Sequence, residues 1–315
     1  MDDLEFKRYI SNIANLGDAK QTGLYVFDIL DKFKLSSNNK FLIEDITDLY
    51  MNFISSLEQL EEYKTPFLKS LKEEEIKSNQ ALESISPFLI QVFMNSNHKS
   101  ATNFAIRDKL NGRNCTINNL CKYHKILLNG LATSIEEESK YRTDNNTFVG
   151  SFSISPLTGE ISSIKNVSYL PIDYKDIKVA LDKILKLYNK KDILELSDIF
   201  VNPIIIHGLL AALQCFRDGN TRLSRVLEHV SIWDLANKYL ENSYIELPVL
   251  YSSDAIIRLN KRGVYRNLIK EFAVNPSTAI FNEWITFNML LFEKQIYYNQ
   301  DRLGETMSVL KKVKK

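Results

Sequence analysis

The chain has 315 residues, of which 44% are hydrophobic and 25% are charged, a composition typical of a globular protein with a sizeable core. Forty basic residues against 39 acidic residues leave a net charge of +1, so no overall field indicates a nucleic-acid partner or an anionic membrane. The three cysteines form no Cys-x-x-Cys pair and the four histidines show no metal-binding spacing. These counts argue against a disulfide framework and against the metallohydrolase classes.

The beginning of the chain is predicted to be helical. Apolar residues recur at helical spacing at 4–16 and at 42–60, and a polar loop is predicted at 36–39. Thr65-Pro66 has the form of an N-cap followed by a first-turn proline, which opens another helix toward Glu83. We interpret residues 1–65 as an N-terminal helical module, although they fit equally well as part of one helical domain.

The start of the chain shows no secretion signal. It lacks the positive region and the apolar region of a signal peptide, and the most apolar stretch, 203–213, is too short to span a bilayer. We therefore expect a cytoplasmic protein with no membrane partner.

One β-signal interrupts the helical pattern. Residues 148–154 and 160–167 alternate in polarity on either side of a turn sequence that contains proline and glycine. This pattern predicts a β-hairpin, which either serves the site or caps the helical bundle.

A buried helix is predicted next. Asn202-Pro203 again resembles an N-cap with a first-turn proline, and the residues that follow are apolar on most of the helix surface up to Leu213. A second apolar-anchored helix, from Leu223 to Trp233, follows after a short connection.

The connection between these two helices contains the candidate ligand-binding residues of the sequence. Residues 214–225 read Gln-Cys-Phe-Arg-Asp-Gly-Asn-Thr-Arg-Leu-Ser-Arg. Asp218 offers a carboxylate to Mg²⁺, while Gly219 and Asn220 readily turn the backbone so that successive N–H groups point at one anion. The connection is therefore a candidate phosphate site.

The helix that follows adds positive charge to this candidate site. Thr221 would open the helix, whose N-terminal end favours anions, and Arg222 and Arg225 lie three residues apart on one face. The same residues also fit an ordinary helix–turn–helix connection with two solvated arginines.

The run 214–225 resembles the signature of the Fic (Fic/Doc) family, His-Pro-Phe-x-Asp-Gly-Asn-Gly-Arg-x-x-Arg. Three positions depart from it, because Gln214 replaces the histidine, Cys215 the proline and Thr221 the second glycine. The matching positions are Phe216, Asp218, Gly219, Asn220, Arg222 and Arg225.

The resemblance extends beyond the signature. The helix with His207, the stretch at 140–142, the segment 247–265 and Trp284 also look like the family. The resemblance implies an all-α, Fic-like helical bundle with a β-hairpin flap and an N-terminal helical extension. The corresponding units are an N-terminal helical module at 1–65, a Fic-like domain at 66–300 and a C-terminal helix or basic tail at 301–315.

The resemblance also implies cofactors and partners. In Fic enzymes the signature histidine removes a proton from a Ser, Thr or Tyr hydroxyl, which then attacks the α-phosphate of ATP. The resemblance therefore implies that the chain binds Mg²⁺ and ATP, or another nucleoside triphosphate. It also implies a protein target held through the hairpin at 148–167. Asp218 would hold the metal, and Gln214 would occupy the base position. The implied nucleotide-binding residues are Phe216, Gly219, Asn220, Thr221, Arg222 and Arg225.

Gln214 cannot act as the base, because a carboxamide has no basic lone pair near neutral pH. Losing a positioned general base typically lowers the rate by about 10²–10⁴. His207 lies on the same helical face as Gln214 but about 10 Å from it along the helix axis, so we interpret His207 as a core residue. The backbone geometry at Thr221 is a second open question. A β-branched residue is strained if this position requires a positive φ, and it fits if the position has helical dihedral angles.

An inhibitory element is also suggested. Many Fic proteins carry a helix marked Ser/Thr-x-x-x-Glu-Gly/Asn, whose glutamate pairs with the last signature arginine. Residues 79–84 are similar in spacing, with Glu83 as the inhibitory glutamate, but they also read as a surface stretch of an acidic helix.

Three functions follow from the altered signature. The chain is interpreted as a nucleotide-binding protein derived from protein AMP-transferases, with weak or lost activity. A second possibility is an active transferase that passes a nucleotidyl group to a nucleophile that is already ionised, a carboxylate or a phosphate. A third is a helical partner-binding scaffold without nucleotide.

Overall fold

In the residues that the structure describes, the protein is built almost entirely from α-helices, with one two-stranded antiparallel sheet. A computed structural model describes residues 20–83, 88–130, 140–154, 161–193, 195–239 and 252–313. The helices are α1 (Tyr25–Leu30), α2 (Ser37–Leu57), α3 (Lys64–Glu83), α4 (Phe88–Leu110), α5 (Ile117–Leu128), α6 (Ile177–Tyr188), α7 (Val201–Leu213), α8 (Asn220–Tyr239), α9 (Ser253–Arg258), α10 (Arg262–Val274) and α11 (Thr278–Val313). The strands are β1 (Val149–Ile154) and β2 (Ile161–Tyr169). The predicted all-α class and the predicted hairpin are both confirmed.

Helix α7 is the centre of the fold. It packs against α6, α8, α10 and α11, and all its residues from Pro203 to Leu213 are buried. It begins at Val201, two residues before the predicted first-turn proline, because a 3₁₀ turn at Leu196–Ile199 leads almost directly into it and the Ile204 N–H bonds to the Phe200 carbonyl at 3.0 Å. Proline is tolerated here because first-turn N–H groups have no intrahelical partner.

A glycine allows the neighbouring helices to approach α7 closely. A Cβ atom at Gly208 would lie 2.9 Å from the Trp284 Nε1 atom and 3.1 Å from the Phe272 ring. The Trp284 indole N–H donates to the Ile204 carbonyl at 2.8 Å, which fixes α11 against α7. The core beneath the candidate site is therefore closely packed and tied by hydrogen bonds.

His207 connects three helices in this core. Its Nδ1 atom lies 2.9 Å from a Glu228 carboxylate oxygen and its Nε2 atom lies 2.8 Å from the Tyr265 hydroxyl. The side chain is fully buried. His207 is thus a structural histidine, as its distance from the signature predicted.

The N-terminal part joins the same hydrophobic core. Helix α2 packs along α11, and its buried residues are continuous with those of α7 and α8. The predicted loop at 36–39 is shorter than expected, because Ser36 caps α2 through its Oγ atom, 3.2 Å from the Asn39 N–H. The predicted helix at 4–16 lies outside the described residues, and a module boundary at 65 stays a prediction.

Strands β1 and β2 run antiparallel with Val149 opposite Tyr169 and Ile154 opposite Ile161, and β2 contacts α10. The turn that joins them lies outside the described residues. Within the described part of the chain, the segment Leu196–Leu213 is the one stretch apolar and long enough to cross a membrane, and 72% of it is buried inside the fold. That burial is the pattern of a core helix.

Candidate functional site

The loop between α7 and α8 is organised around the side chain of Asn220. Its Oδ1 atom accepts the Phe216 N–H at 2.9 Å, and its Nδ2 atom donates to the Phe216 carbonyl at 2.8 Å. Gly219 adopts a φ of +75°, which glycine tolerates without a Cβ clash. Asn220 is only 2% exposed. The protein's own hydrogen bonds therefore determine the shape of this loop.

Phe216 supports the loop from the protein interior. Its ring is fully buried and stacks on the His124 ring, with the centroids 4.0 Å apart. The His124 Nε2 atom lies 2.8 Å from the Asp218 carbonyl, and this geometry assigns Nε2 as the donor. Phe216 thus contributes to the site by packing beneath the loop.

The Gln214 side chain is held in place at the end of α7. Its backbone is left-handed, with φ of 52° and ψ of 54°. The Nε2 atom donates to the Ala211 carbonyl at 2.6 Å, and the Oε1 atom accepts from Asn220 Nδ2 at 2.9 Å. Both ends of the amide are thus engaged, and neither atom is a base at neutral pH.

Arg142 anchors the backbone of the loop. Its guanidinium donates to the carbonyls of Gln214 at 2.8 Å, Asp144 at 2.7 Å and Ile172 at 2.6 Å, and its own N–H donates to the Cys215 carbonyl at 2.9 Å. The residue is 2% exposed. The sequence placed Arg142 in a family-like stretch but gave no sign of this anchoring role.

The Asp218 carboxylate lies at the solvent edge of the loop. It is 72% exposed, bonds to the Gly219 N–H at 2.6 Å and pairs with the Arg222 guanidinium at 2.8 Å. Among the described residues no three His, Cys, Asp or Glu side chains cluster closely enough to hold a metal. Asp218 nevertheless suits Mg²⁺, which binds proteins through one or two carboxylates and takes its other ligands from phosphates and water.

Thr221 lies inside the first turn of α8. The non-glycine residues with positive φ in the described chain are Glu61, Gln214 and Asn260. The position of the second signature glycine therefore has helical geometry, and threonine fits it without strain. This answers the question that the sequence left open.

Arg225 lies one helical turn further along α8. It is fully buried, and Arg222 is 8% exposed. Burial and the neighbouring Arg225 and Arg222 lower the pKa of His98 to about 3, and burial lowers the pKa of His229 well below its ordinary value. These histidines are therefore neutral at physiological pH, and the positive charge in this part of the core belongs to the arginines.

A cavity of about 540 Å³ opens beside the loop. This volume suits a drug-sized ligand or a nucleotide. The C-cap of α7 contributes Gln214, and α8 contributes Thr221 and Arg225. The remaining walls come from the hairpin, from α10 and from the end of α3. Three of the sequence-predicted positions thus meet in one cavity, whereas Asp218 and Arg222 are not among its lining residues.

Helix α10 gives the cavity a second positive wall. Arg262, Arg266 and Lys270 all line it, whereas its described lining contains no aspartate or glutamate. Together with Arg225, these cations make it suitable for an anionic ligand. Sequence reasoning missed this wall, although cations spaced by four residues in a helical segment were the signal that could have revealed it.

The end of α3 reaches the same cavity. Leu82 is buried and lines it together with Arg225, and the Ala81 carbonyl accepts from the Arg262 guanidinium. The side chain of Glu83 lies outside the described residues. The predicted contact between Glu83 and Arg225 therefore stays a prediction.

Comparison with known proteins finds one matching family model and solved structures with a similar fold. The model of the Fic/DOC family matches residues 114–231, which include α5, the hairpin and the signature run. No curated protein matches the chain.

Solved structures that share the fold include three Fic proteins. A Fic-1 fragment from C. elegans is 15% identical with a TM-score of 0.55, and the match covers 87% of this chain and 74% of that one. A Fic-family protein from Desulfovibrio desulfuricans is 12% identical with a TM-score of 0.58, with coverage of 86% and 76%. A Fic-domain-containing signalling protein from Bacteroides thetaiotaomicron is 12% identical with a TM-score of 0.53, with coverage of 84% and 97%.

Proposed function

We propose that this protein binds a nucleoside triphosphate with Mg²⁺ in the cavity beside the signature loop, because the model of the Fic/DOC family matches residues 114–231. We further propose that it is related to protein AMP-transferases but transfers AMP to hydroxyl groups weakly or not at all. The proposal of weak or absent hydroxyl transfer rests on the Gln214 side chain, which occupies the base position and is hydrogen-bonded to Ala211 and Asn220.

The phosphate chain is proposed to bind at the N-terminal end of α8. Thr221 and Arg225 face the cavity there, and the helix dipole favours negative charge at the same end. Asp218 would hold Mg²⁺ after its pair with Arg222 opens or is shared. Mg²⁺ can reach this carboxylate from the solvent, because the Asp218 side chain is 72% exposed.

The hydroxyl reaction fails at a single step. A Ser, Thr or Tyr hydroxyl must lose its proton as it attacks the α-phosphate, and the carboxamide of Gln214 cannot accept that proton. Positioning and phosphate binding would remain. The expected protein is thus able to bind substrate and is poor at hydroxyl transfer.

Nucleotide binding is the first test of this proposal. A ligand present at 100 times its Kd should stabilise the fold by about 2.7 kcal/mol, which appears as a rise in Tm. The measurement is thermal unfolding with ATP, GTP, UTP and CTP, each at millimolar concentration with Mg²⁺. If none of the four raises Tm, the scaffold function without nucleotide replaces this proposal.

Glu83→Gly tests the proposed inhibitory contact with Arg225. Since a carboxylate next to Arg225 would compete with phosphate oxygens, its removal should tighten ATP binding by about tenfold, the value of one charge-assisted hydrogen bond. Isothermal calorimetry on the variant measures this change. The control is Glu73→Gly, earlier on the same helix α3. Unchanged affinity in a well-folded Glu83→Gly protein would leave the end of α3 with a packing role only.

A further inference from the structure

The cations of helix α10 have no role in the nucleotide site described above. Arg262, Arg266 and Lys270 are four residues apart, so they lie along one helical face, and that face lines the cavity. Arg262 and Lys270 are half-buried and Arg266 is exposed. The same cavity is lined by Gln214 and Arg225, so this face and the signature loop share one chamber.

The arrangement is electrostatically unfavourable without an anion. Like charges four residues apart on a helix repel each other and destabilise it. The described lining of the cavity has no carboxylate to offset them. A triphosphate at the end of α8 would be matched by Mg²⁺, Arg222 and Arg225, which leaves the α10 cations for a second anionic group.

We propose that α10 is a second phosphate subsite, and that it holds a phosphomonoester that accepts the nucleotidyl group. This rests on the nucleotide binding proposed above. Arginine guanidinium groups suit the assignment, because they bind phosphate oxygens in a bidentate manner.

The altered signature is consistent with such an acceptor. An oxygen of the phosphomonoester attacks the α-phosphorus of the nucleotide, the bond from that phosphorus to the α–β bridging oxygen breaks, and pyrophosphate leaves with the electron pair. The product is a diphosphate diester. A phosphomonoester has a second pKa near 6 and is already a dianion at neutral pH, so no proton has to be removed and Gln214 suffices at the base position.

The binding test uses phenyl phosphate as the probe. The protein is saturated with Mg²⁺ and a non-hydrolysable ATP analogue and then titrated with phenyl phosphate or with benzoate. We expect phenyl phosphate to bind together with the nucleotide and more tightly than benzoate. The double variant Arg266→Gln with Lys270→Gln should weaken its binding by about tenfold or more. Lys178→Gln with Lys186→Gln, on the exposed face of α6, removes the same charge outside the cavity and should not weaken it.

Several results would overturn the proposal. One is competition between phenyl phosphate and the nucleotide for binding. Another is an affinity for phenyl phosphate that is the same in the α10 double variant as in the unaltered protein. The third is tighter binding of benzoate than of phenyl phosphate. If no nucleotide binds at all, the proposed function fails separately, and titration of the protein alone with phenyl phosphate still decides whether α10 is a phosphate subsite.

The transfer step has its own measurement. With ATP labelled at the α-phosphate, we expect a labelled diphosphate diester from phenyl phosphate together with an equal amount of pyrophosphate. Release of pyrophosphate without the labelled diester, or no turnover while both ligands are bound, would contradict phosphate as the acceptor.

Discussion

Replacing Gln214 with histidine is expected to raise the transfer of AMP to protein hydroxyls by about 10²–10⁴, the usual contribution of a positioned general base. The backbone at this position has φ of 52°, and histidine is among the residues that adopt this left-handed geometry more readily than most. The measurement is incorporation of label from α-labelled ATP into the protein itself and into added protein substrates.

The structure allows a matched control for this change. Gln214→Asn keeps an uncharged amide at the base position and adds no basic nitrogen, so it should leave hydroxyl transfer as low as in the unaltered protein. Both variants lose the reach of Gln214 toward Ala211, which separates the chemical effect from a change in loop stability. Strong hydroxyl modification by the unaltered chain, with no increase for Gln214→His, would show that another residue is the base.

The parts of the fold that could be predicted are those that depend on local pattern. The run of apolar residues after Pro203 predicted a buried helix, and alternating polarity around a proline- and glycine-containing turn predicted the hairpin. His207 was correctly placed in the core because helical rise alone puts it about 10 Å from the signature. The start of α7 was misjudged by two residues, because a preceding 3₁₀ turn leads into it.

The parts that could not be predicted depend on contacts between distant segments. The pairing of Arg142 with carbonyls at Gln214 and Ile172 joins residues far apart in the chain, and composition and spacing carry no information on it. Likewise, the spacing of Arg266 and Lys270 shows that they share a helical face but not which cavity that face lines. The backbone of Thr221 depended on where α8 begins, which is the least predictable property of a helix.

Arg142→Ala is expected to cause the largest loss of stability among single changes near the site. The guanidinium donates to three carbonyls, those of Gln214, Asp144 and Ile172, and the side chain is 2% exposed. Its removal leaves those acceptors without their charged donor, at a cost of about 3–5 kcal/mol in the free energy of unfolding. For a chain of this size the corresponding fall in Tm is about 6–15 °C.

The matched control for Arg142 is Arg217→Ala. Arg217 pairs with the Asp144 carboxylate, but its side chain is 40% exposed, so its loss should cost only about 0–1 kcal/mol. Arg142→Lys should recover only part of the stability, because an ammonium cannot reach three carbonyls with the fixed fork of a guanidinium. Since the Arg142 guanidinium holds the Gln214 carbonyl, the Mg²⁺·ATP-induced rise in Tm should shrink in Arg142→Ala and persist in Arg217→Ala. Thermal unfolding that gives equal losses for both variants would show that Arg142 does not anchor the loop.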